Sequence, residues 1–378
     1  MNYQRPELVS GQASKGYVST SPQIAPPRIS VVVTCYNYAR YVGQALESVA
    51  SQTFANFDCV IVDDASTDGS GSCIERWIDN KKDSRFSLIC NASNCGQTAS
   101  FAMGLAATSG EFVAFLDADD FWFPEFLRRH VEAHLNRAFP VSLSCSDLIQ
   151  INGDGRVLSG TFWGGPNIEG GQARHVATID ADHSVHLDEN GTVEFREDPK
   201  VRYISPAYLD FPWTVTSGMV FRRSALDLIM PRETSALRIC TDGYAFVLCH
   251  YFTGSLAIGS ALGAYRRHGR NSFISNPVMG TNLPTAPSTI KRHHEIIIRV
   301  MLQQLLDHHD RFAAVFSVES VRNLLRILFR KSLQYNLSIE DSRLRSAIGT
   351  RRMFEDKVNA KLSFFRRLVS RLRALVAE

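Results

Sequence analysis

The sequence predicts an α/β fold, a doubly wound, mostly parallel sheet with an antiparallel edge, followed by an α-helical C-terminal region. Three observations carry this. Short apolar, β-branched runs alternate with helix-spaced segments four times in the stretch from Ile29 to Asn136, the pattern of βαβ units. Those runs are continuously apolar, as in strands buried on both faces of a parallel sheet. Beyond about Ser288 the whole chain reads as helix.

ISVVVTC (Ile29 to Cys35) is the first strand, and Tyr36-Asn37-Tyr38 breaks it. A helix follows, with Val42, Ala45, Leu46 and Val49 on one face. DCVIVDD is the second strand, ending in Asp63 and Asp64. Ser66, Thr67 and Asp68 are helix-start residues, and Ile74, Trp77 and Ile78 supply the apolar face of the next helix. FSLIC (Phe86 to Cys90) is the third strand, Asn94-Cys95-Gly96 a turn, and Thr98 to Thr108 a helix rich in small residues. GEFVAFLDADDFWFP, from Gly110 to Pro124, is a fourth strand that stops abruptly in Asp117, Asp119 and Asp120.

After a helix at Glu125 to Asn136 the pattern changes. Val141 to Ile151 alternates partly, NGDG at 152–155 is a hairpin turn signal, and a Gly-rich, Asp-bearing stretch runs to about 200. This region reads as an antiparallel edge with surface loops. His175, His183 and His186, interleaved with Asp180 and Asp182, have no helix to fix their spacing and no Cys nearby, so a solvated loop is preferred to zinc. Thr214 to Gly218 is a small-residue bend feeding a short strand and a helix. Asp242 is the expected N-cap of an apolar helix at Tyr244 to Phe252. Leu256 to Ser272 gives a last strand and a basic loop containing His268.

With 378 residues the chain is long for one domain. The expected division is a loosely attached leader at 1–27, a main domain at 28–275 with halves at 28–137 and 138–275, and a helical region at 286–378. Hydrophobic content of 44% and charged content of 21% are those of a soluble globular protein, and a formal charge of +3 is too small to argue for nucleic acid. No run approaches the roughly 20 apolar residues that span a bilayer, and the N-terminus lacks the features of a secretory signal. A cytoplasmic location is therefore expected. Cys35, Cys59 and Cys90 lie in strand-like runs without a regular framework, as reduced, buried thiols do.

In a parallel sheet all the strand ends share one edge, where open α/β sheets bind ligands. That edge would gather Tyr36, Asn37, Asp63, Asp64, Asn94, Gly96 and the carboxylate cluster. Carboxylates so close repel one another, and a cation would lower their pKa values together. On the fourth stretch alone two readings stay open: an acidic helix start, with Pro124 in its first turn, or a Mg²⁺ or Mn²⁺ site that leaves positions for substrate phosphates. The aligned ends of the three earlier strands favour the metal. The combination suits a nucleoside diphosphate, and since neither GxGxxG nor GxxxxGK[ST] is present, a metal-dependent mode is favoured over a backbone phosphate cradle.

TCYN at Thr34 to Asn37, VDDASTDGS at Val62 to Ser70, NCG at Asn94 to Gly96 and SGEFVAFLDADD at Ser109 to Asp120 resemble, in order and spacing, the nucleotide-sugar domain of family 2 glycosyltransferases with the GT-A fold. The resemblance continues through TSGMVFRRSAL, TDGYAF and YRRHGRNS and covers about Arg28 to Ser272. It implies an inverting transfer from a nucleotide-diphosphate sugar to a hydroxyl acceptor, saccharide or lipid-linked, in surface polysaccharide or glycoconjugate assembly. Asp64, with Asp63 beside it, is implied at base and ribose, and Thr34, Tyr36, Asn37, Asn94, Gly96, Asp117, Ala118 and Arg267 complete the nucleotide-sugar site. Asp119 and Asp117 form the DxD-like metal element, with His268 at the metal or diphosphate, and Asp242 takes the place of the general base. Trp122 and Trp213, with Ser217, would wall the acceptor pocket, ordinary packing being the other reading of the tryptophans.

Two departures from the family pattern stand out. Ser100-Phe101-Ala102 replaces a frequent Ala-Arg-Asn triplet, and Thr241 replaces an acidic neighbour of the base. The C-terminal helices lie outside the resemblance. The last of them carries Phe364, Leu368, Leu372 and Leu375 beside Arg366, Arg367, Arg371 and Arg373; it would either pack on the body or lie on an anionic surface at the inner membrane face. The alternative to an enzyme is a non-catalytic sugar-nucleotide-binding or scaffold protein of an assembly complex. A nucleotidyltransferase is disfavoured because the Gly-rich, Lys-bearing first loop is missing.

Overall fold

A computed structural model describes residues 27–162, 201–206, 214–231, 233–239, 241–269, 271, 287–335, 337 and 341–359, with four two-residue strands between 168 and 194. The expected leader, apart from Pro27, the side chains of the His175 to His186 loop, Trp213 and residues 361–378 lie outside the described residues.

Continuous burial makes the first apolar runs central strands. All seven residues of β1 (Ile29–Cys35) are buried, and β1 lies between β2 (Phe57–Asp63) and β4 (Phe112–Asp117), parallel to both. β3 (Phe86–Cys90) continues the parallel run beyond β2. The remaining strands of the main sheet are β5 (Phe121–Trp122), β6 (Leu143–Asn152), β7 (Val157–Ser159), β8 (Val201–Ile204), β9 (Met219–Arg222) and β10 (Ser255–Arg267). The sheet order is β8-β10-β6-β9-β4-β1-β2-β3, with β5 beside β10 and β7 beside β6. β9 is antiparallel to both β4 and β6, while β6 and β10 run parallel. The antiparallel edge is β8. This is the mixed, doubly wound sheet with an antiparallel edge that the sequence predicts.

One expectation fails. The segment from Val141 to Ile151 is an interior strand, with Leu143 to Ile151 all buried. Its partial alternation came from Ser144, Ser146 and Asp147, which mimic an exposed face but are buried. Ser144 and Asp147 have partners: Ser144 Oγ lies 2.7 Å from His130 Nδ1, and Asp147 accepts the Leu148 N–H at 2.7 Å. Hydrogen bonding removes most of the penalty for burying such groups. The NGDG turn does close a hairpin, between β6 and β7.

The strand period of two sorts side chains onto two faces. Val31 and Val33 face a cluster with α1 (Val42–Ala50), α2 (Ser70–Lys81) and α4 (Phe126–Leu135). Val32 and Phe115 face α3 (Gln97–Ala106), α5 (Arg223–Ile229) and α6 (Thr241–Thr253). The C-terminal helices α7 (Pro287–Asp307), α8 (His309–Phe316), α9 (Val318–Gln334) and α10 (Ser342–Ile348) join this second cluster, where Met301, Leu305, Phe312, Leu324 and Leu325 pack with Tyr244 and Leu248. Each fully buried leucine there contributes about 1.5–3 kcal/mol. A further helix at 350–359 is tied to α9 by Asp356, which accepts from Arg326 at 2.9 Å and Arg330 at 2.8 Å. The helices that the sequence set apart thus complete the core beneath α6.

Candidate active site

The parallel register aligns the strand ends: Thr34 pairs with Asp117, and Cys35 with Asp63. Beyond them a cavity of about 320 Å³ opens, and its walls include Thr34, Tyr36, Asp64, Asn94, Gly96, Asp117, Asp119 and Asp242. Eight of the expected site residues therefore meet at one place, Asp242 having come from more than 120 positions beyond the fourth strand.

The loops at this edge are held by their own polar side chains. Asn37, at φ 62°, accepts the Thr67 N–H at 2.8 Å through Oδ1 and donates its own N–H to Ser66 Oγ at 2.9 Å. Asp63 in turn accepts from Ser66 Oγ at 2.5 Å. Asn37 and Asp63 are thereby committed to loop geometry and are not among the cavity-lining residues. The α2 helix begins at Ser70 after Gly69, later than Ser66 to Asp68 suggested, because Asp68 spends its oxygens on the N–H groups of Ser70 and Ala39, each at 3.0 Å.

Asp64 organises the opposite wall. One oxygen accepts from Asn91 Nδ2 at 2.7 Å and the Cys95 N–H at 2.8 Å, and the other accepts the Gly96 N–H at 2.8 Å. Gly96 has φ 92°, and a Cβ there would lie 2.7 Å from the Arg238 carbonyl oxygen, so a side chain would meet both backbone strain and backbone atoms. Arg238 also donates to Asn94 Oδ1 at 2.5 Å, clamping the turn.

The three carboxylates at the end of β4 have separate surroundings. Asp117 Oδ1 accepts from Gln97 Nε2 at 2.9 Å and from Thr34 Oγ1 at 3.4 Å. Burial, then the charge of Asp119, push its carboxyl up to about 7, against the lowering effect of Gln97 and Thr34. Asp119 Oδ2 meets His268 Nε2 at 2.9 Å, and the His268 ring lies against Tyr41 (centroids 5.3 Å, stacked) and Tyr38 (5.6 Å, edge-on). His268 thus positions Asp119 and is not itself a cavity-lining residue. Asp120 turns away, accepting from Ser217 Oγ at 2.6 Å and from the Arg266 N–H at 2.8 Å, and burial followed by the charges of Asp119 and Asp117 raises its carboxyl well above the usual range. It is a buried tie between β4 and β10.

Asp242 lies in the first turn of α6, which starts at Thr241, and so is not the N-cap. Its Oδ1 accepts the Gly243 N–H at 2.7 Å, and burial raises its pKa. Thr241, the residue without a charge where an acid was expected, bonds across to Thr98 at 2.7 Å between Oγ1 atoms. That buried contact fixes the start of α6 against α3 and brings Asp242 to the cavity.

Several expected site residues are elsewhere. Trp122 is 2% exposed, stacks on Phe126 with ring centroids 4.1 Å apart, and donates Nε1–H to the Ser217 carbonyl at 2.6 Å. It is core packing, as its neighbouring aromatics favour, and not an acceptor wall. Ser217 braces the carboxylates from behind, donating to Asp120 and accepting the Asp117 N–H at 3.2 Å, while its neighbours Val215 and Thr216 line the cavity. Ala118 is fully buried and gives its N–H to the Thr34 carbonyl at 3.1 Å. Arg267 is buried on β10 with Nη1 at 3.3 Å from Gln150 Oε1, away from the cavity lining. Conversely, Tyr38, Gln97, Arg238 and Tyr265 line the cavity without having been singled out, and Ser100, named only as part of a departure from the family pattern, lines it too. Gln97 and Ser100 could have been found from their helical spacing after the Asn94 to Gly96 turn; Arg238 sits in an irregular segment that carries no sequence signal.

Among the described residues no three His, Cys, Asp or Glu side chains are grouped as a metal cage. The chemistry of the donor set nevertheless fits a hard divalent cation: Asp117 and Asp119 are two carboxylates on one cavity wall, and burial, then the charge of Asp119, disfavour the ionised Asp117, penalties that a cation would offset. Such an ion would take its other ligands from diphosphate and water.

The profile of the family described as Glycosyl transferase family 2 matches residues 30–184. An uncharacterised glycosyltransferase of Nostoc sp. is 33% identical over 256 residues, which is 66% of this chain and 67% of that protein. A putative teichuronic acid biosynthesis glycosyltransferase of Bacillus subtilis is 30% identical over 127 residues, 34% of this chain and 50% of that protein. Among solved structures, S. aureus TarS in complex with UDP-GlcNAc aligns at a TM-score of 0.48 and 16% identity, covering 90% of this chain and 92% of that one. Pyrobaculum calidifontis PcManGT, in complex with GDP-Man and Mn²⁺, aligns at 0.45 and 14% identity over 89% of this chain and 88% of that one.

Proposed function

The chain belongs to glycosyltransferase family 2, and on that premise we propose that it is an inverting transferase moving a sugar from a nucleoside-diphosphate sugar to a hydroxyl acceptor. The observation that carries this reading is the meeting of Asp117, Asp119 and Asp242 on one cavity at the strand ends. Asp242 is the general base. It takes the proton of the acceptor hydroxyl as that oxygen bonds to the anomeric carbon and the bond from that carbon to the diphosphate breaks. A carboxylate raised by burial is a better base than an exposed one, and positioned proton transfer contributes about 10²–10⁴-fold.

Asp64, Asn94 and Gly96 receive the nucleoside, since Asp64 keeps about one lone pair unused, on the oxygen that accepts from Gly96, beside a turn it has already fixed. Tyr36, 45% exposed, offers a ring at the cavity mouth. Asp119, held by His268, and Asp117 are the residues that would hold Mg²⁺ or Mn²⁺, which supplies Lewis-acid stabilisation of the departing diphosphate. The likeness to a putative teichuronic acid biosynthesis enzyme supports a place in surface-polysaccharide assembly. Among the described residues no helix is long and apolar enough to cross a membrane. For a lipid-linked acceptor the basic, apolar-faced segment at 361–378 would supply the membrane contact.

The test is nucleoside diphosphate release across a panel of sugar nucleotides and acceptors, with and without Mn²⁺, for the parent chain and Asp242→Asn. Turnover lost in Asp242→Asn with nucleotide affinity retained is the expected result. A parent chain with neither turnover nor Mn²⁺-dependent nucleotide binding would end the proposal.

A further inference from the structure

One polar group in the cavity has no role in the chain itself. Ser100 on α3 is fully buried and lines the cavity, yet its Oγ has no hydrogen-bond partner among the described residues. Serine hydroxyls inside helices commonly satisfy themselves on a carbonyl one turn back. Here that does not happen. Buried hydroxyls without partners are rare because losing water uncompensated is unfavourable, so an unpaired one on a cavity-lining residue points to a partner brought by a ligand.

The surroundings narrow the ligand. Ser100 stands three residues after Gln97, so both look to the same side of α3. Gln97 is already committed to Asp117 at 2.9 Å, whereas the Ser100 hydroxyl can donate or accept. The helix starts from the Asn94 to Gly96 turn that Asp64 holds, and it packs over β1 and β2. Phe101 turns the other way, its ring 4.3 Å from Phe115 in the core. Phe101 thus stands where the family pattern often has an arginine, and Ser100, where the pattern has alanine, adds a small neutral hydroxyl to the cavity-lining residues.

We propose that Ser100 is a donor-recognition residue of this chain, its hydroxyl hydrogen-bonding the nucleoside part of the nucleotide sugar. The assignment rests on the donor reading above and adds to it the residue that reads the nucleoside from the α3 side. It makes affinity for the nucleoside diphosphate depend on a group that contributes nothing to folding.

Titrations of the full chain with UDP, GDP, CDP, ADP and dTDP in the presence of Mn²⁺ identify the nucleoside diphosphate that binds; Ser100→Ala and Ser100→Cys are then compared with the parent on that ligand and its sugar nucleotide. Both variants should weaken the nucleoside diphosphate about threefold to tenfold, and the sugar nucleotide by the same factor, the usual range for one hydrogen bond. The unliganded Ser100→Ala chain should melt no lower than the parent, because the hydroxyl removed had no partner. Unchanged nucleoside diphosphate affinity in both variants overturns the assignment, also when the sugar nucleotide alone is weakened, which would put the hydroxyl on the transferred sugar. A lower melting temperature for unliganded Ser100→Ala overturns it too, by revealing a structural partner. Failure of the parent chain to bind any of the five nucleotides would overturn the donor reading together with this assignment, whereas the preceding outcomes leave the donor reading standing.

Discussion

Asp120 separates a structural carboxyl from the two that face the cavity, and its replacement gives a sharp prediction. Its oxygens serve the Arg266 N–H at 2.8 Å and Ser217 Oγ at 2.6 Å, and the residue is 2% exposed. Asp120→Ala leaves a buried N–H and a buried hydroxyl without that partner, at about 1–3 kcal/mol each, so a loss of about 2–6 kcal/mol is expected. Asp120→Asn keeps an oxygen for Arg266 and an amide for Ser217. It also removes a charge that burial, Asp119 and Asp117 all disfavour. The folded carboxyl is raised above its unfolded value of about 4, so the native state holds a proton that the unfolded chain releases. Wild-type stability therefore falls as pH rises from about 4 towards the raised folded value, and the neutral asparagine escapes that loss. Urea denaturation in the presence of chelator, from acid to neutral pH, should show Asp120→Asn near the wild type at acid pH and increasingly more stable towards neutrality, with Asp120→Ala destabilised throughout. Mn²⁺-dependent nucleotide affinity should survive in Asp120→Asn. An asparagine variant as unstable as the alanine one, or one whose advantage shrinks with rising pH, would refute the assignment of Asp120 as a neutral tie.

Gly96→Ala combines a positive φ of 92° at an extended ψ of 161°, a conformation that costs a non-glycine residue about 1–3 kcal/mol, with a Cβ placed 2.7 Å from the Arg238 carbonyl; denaturation should show a loss at least that large, and titration a weaker nucleotide. Trp122→Ala should lose about 3–5 kcal/mol of stability, whereas Trp122→Phe, which keeps the stack on Phe126, should leave the acceptor KM unchanged; a raised KM would restore Trp122 to the acceptor site. Because a base works deprotonated and burial raises Asp242 above 3.8, kcat/KM should fall with acidification through a pKa above that value; a profile flat down to that value would count against Asp242 as the base. Flotation with anionic vesicles should decline when residues 361–378 are deleted; equal flotation would remove the membrane contact.

Much of the fold and of the cavity wall was legible because both are local properties of strands. An apolar β-branched run must be buried on two faces, and whatever follows it must lie at the sheet edge, so Tyr36, Asp64, Asn94, Gly96, Asp117 and Asp119 were placed by sequence pattern. What each carboxylate does was not legible, because adjacent residues look alike in sequence and differ in three-dimensional partners. Asp63 serves Ser66, Asp64 serves a turn about thirty residues later, and Asp120 serves β10. The same reason misplaced Trp122, whose apolar partner Phe126 and carbonyl partner at Ser217 are supplied by packing. Local polarity likewise hid β6, since the pattern records hydroxyls and cannot record that His130 satisfies one of them. The sequence by itself determined a mostly parallel sheet with a carboxylate-rich edge. Only the tertiary structure decided that a pair of buried threonines, Thr98 and Thr241, brings Asp242 into that edge, and that Ser100 is left there with its hydroxyl unspent. Strand burial is a short-range consequence of composition, whereas these contacts join residues far apart in the chain that meet only once the core has closed.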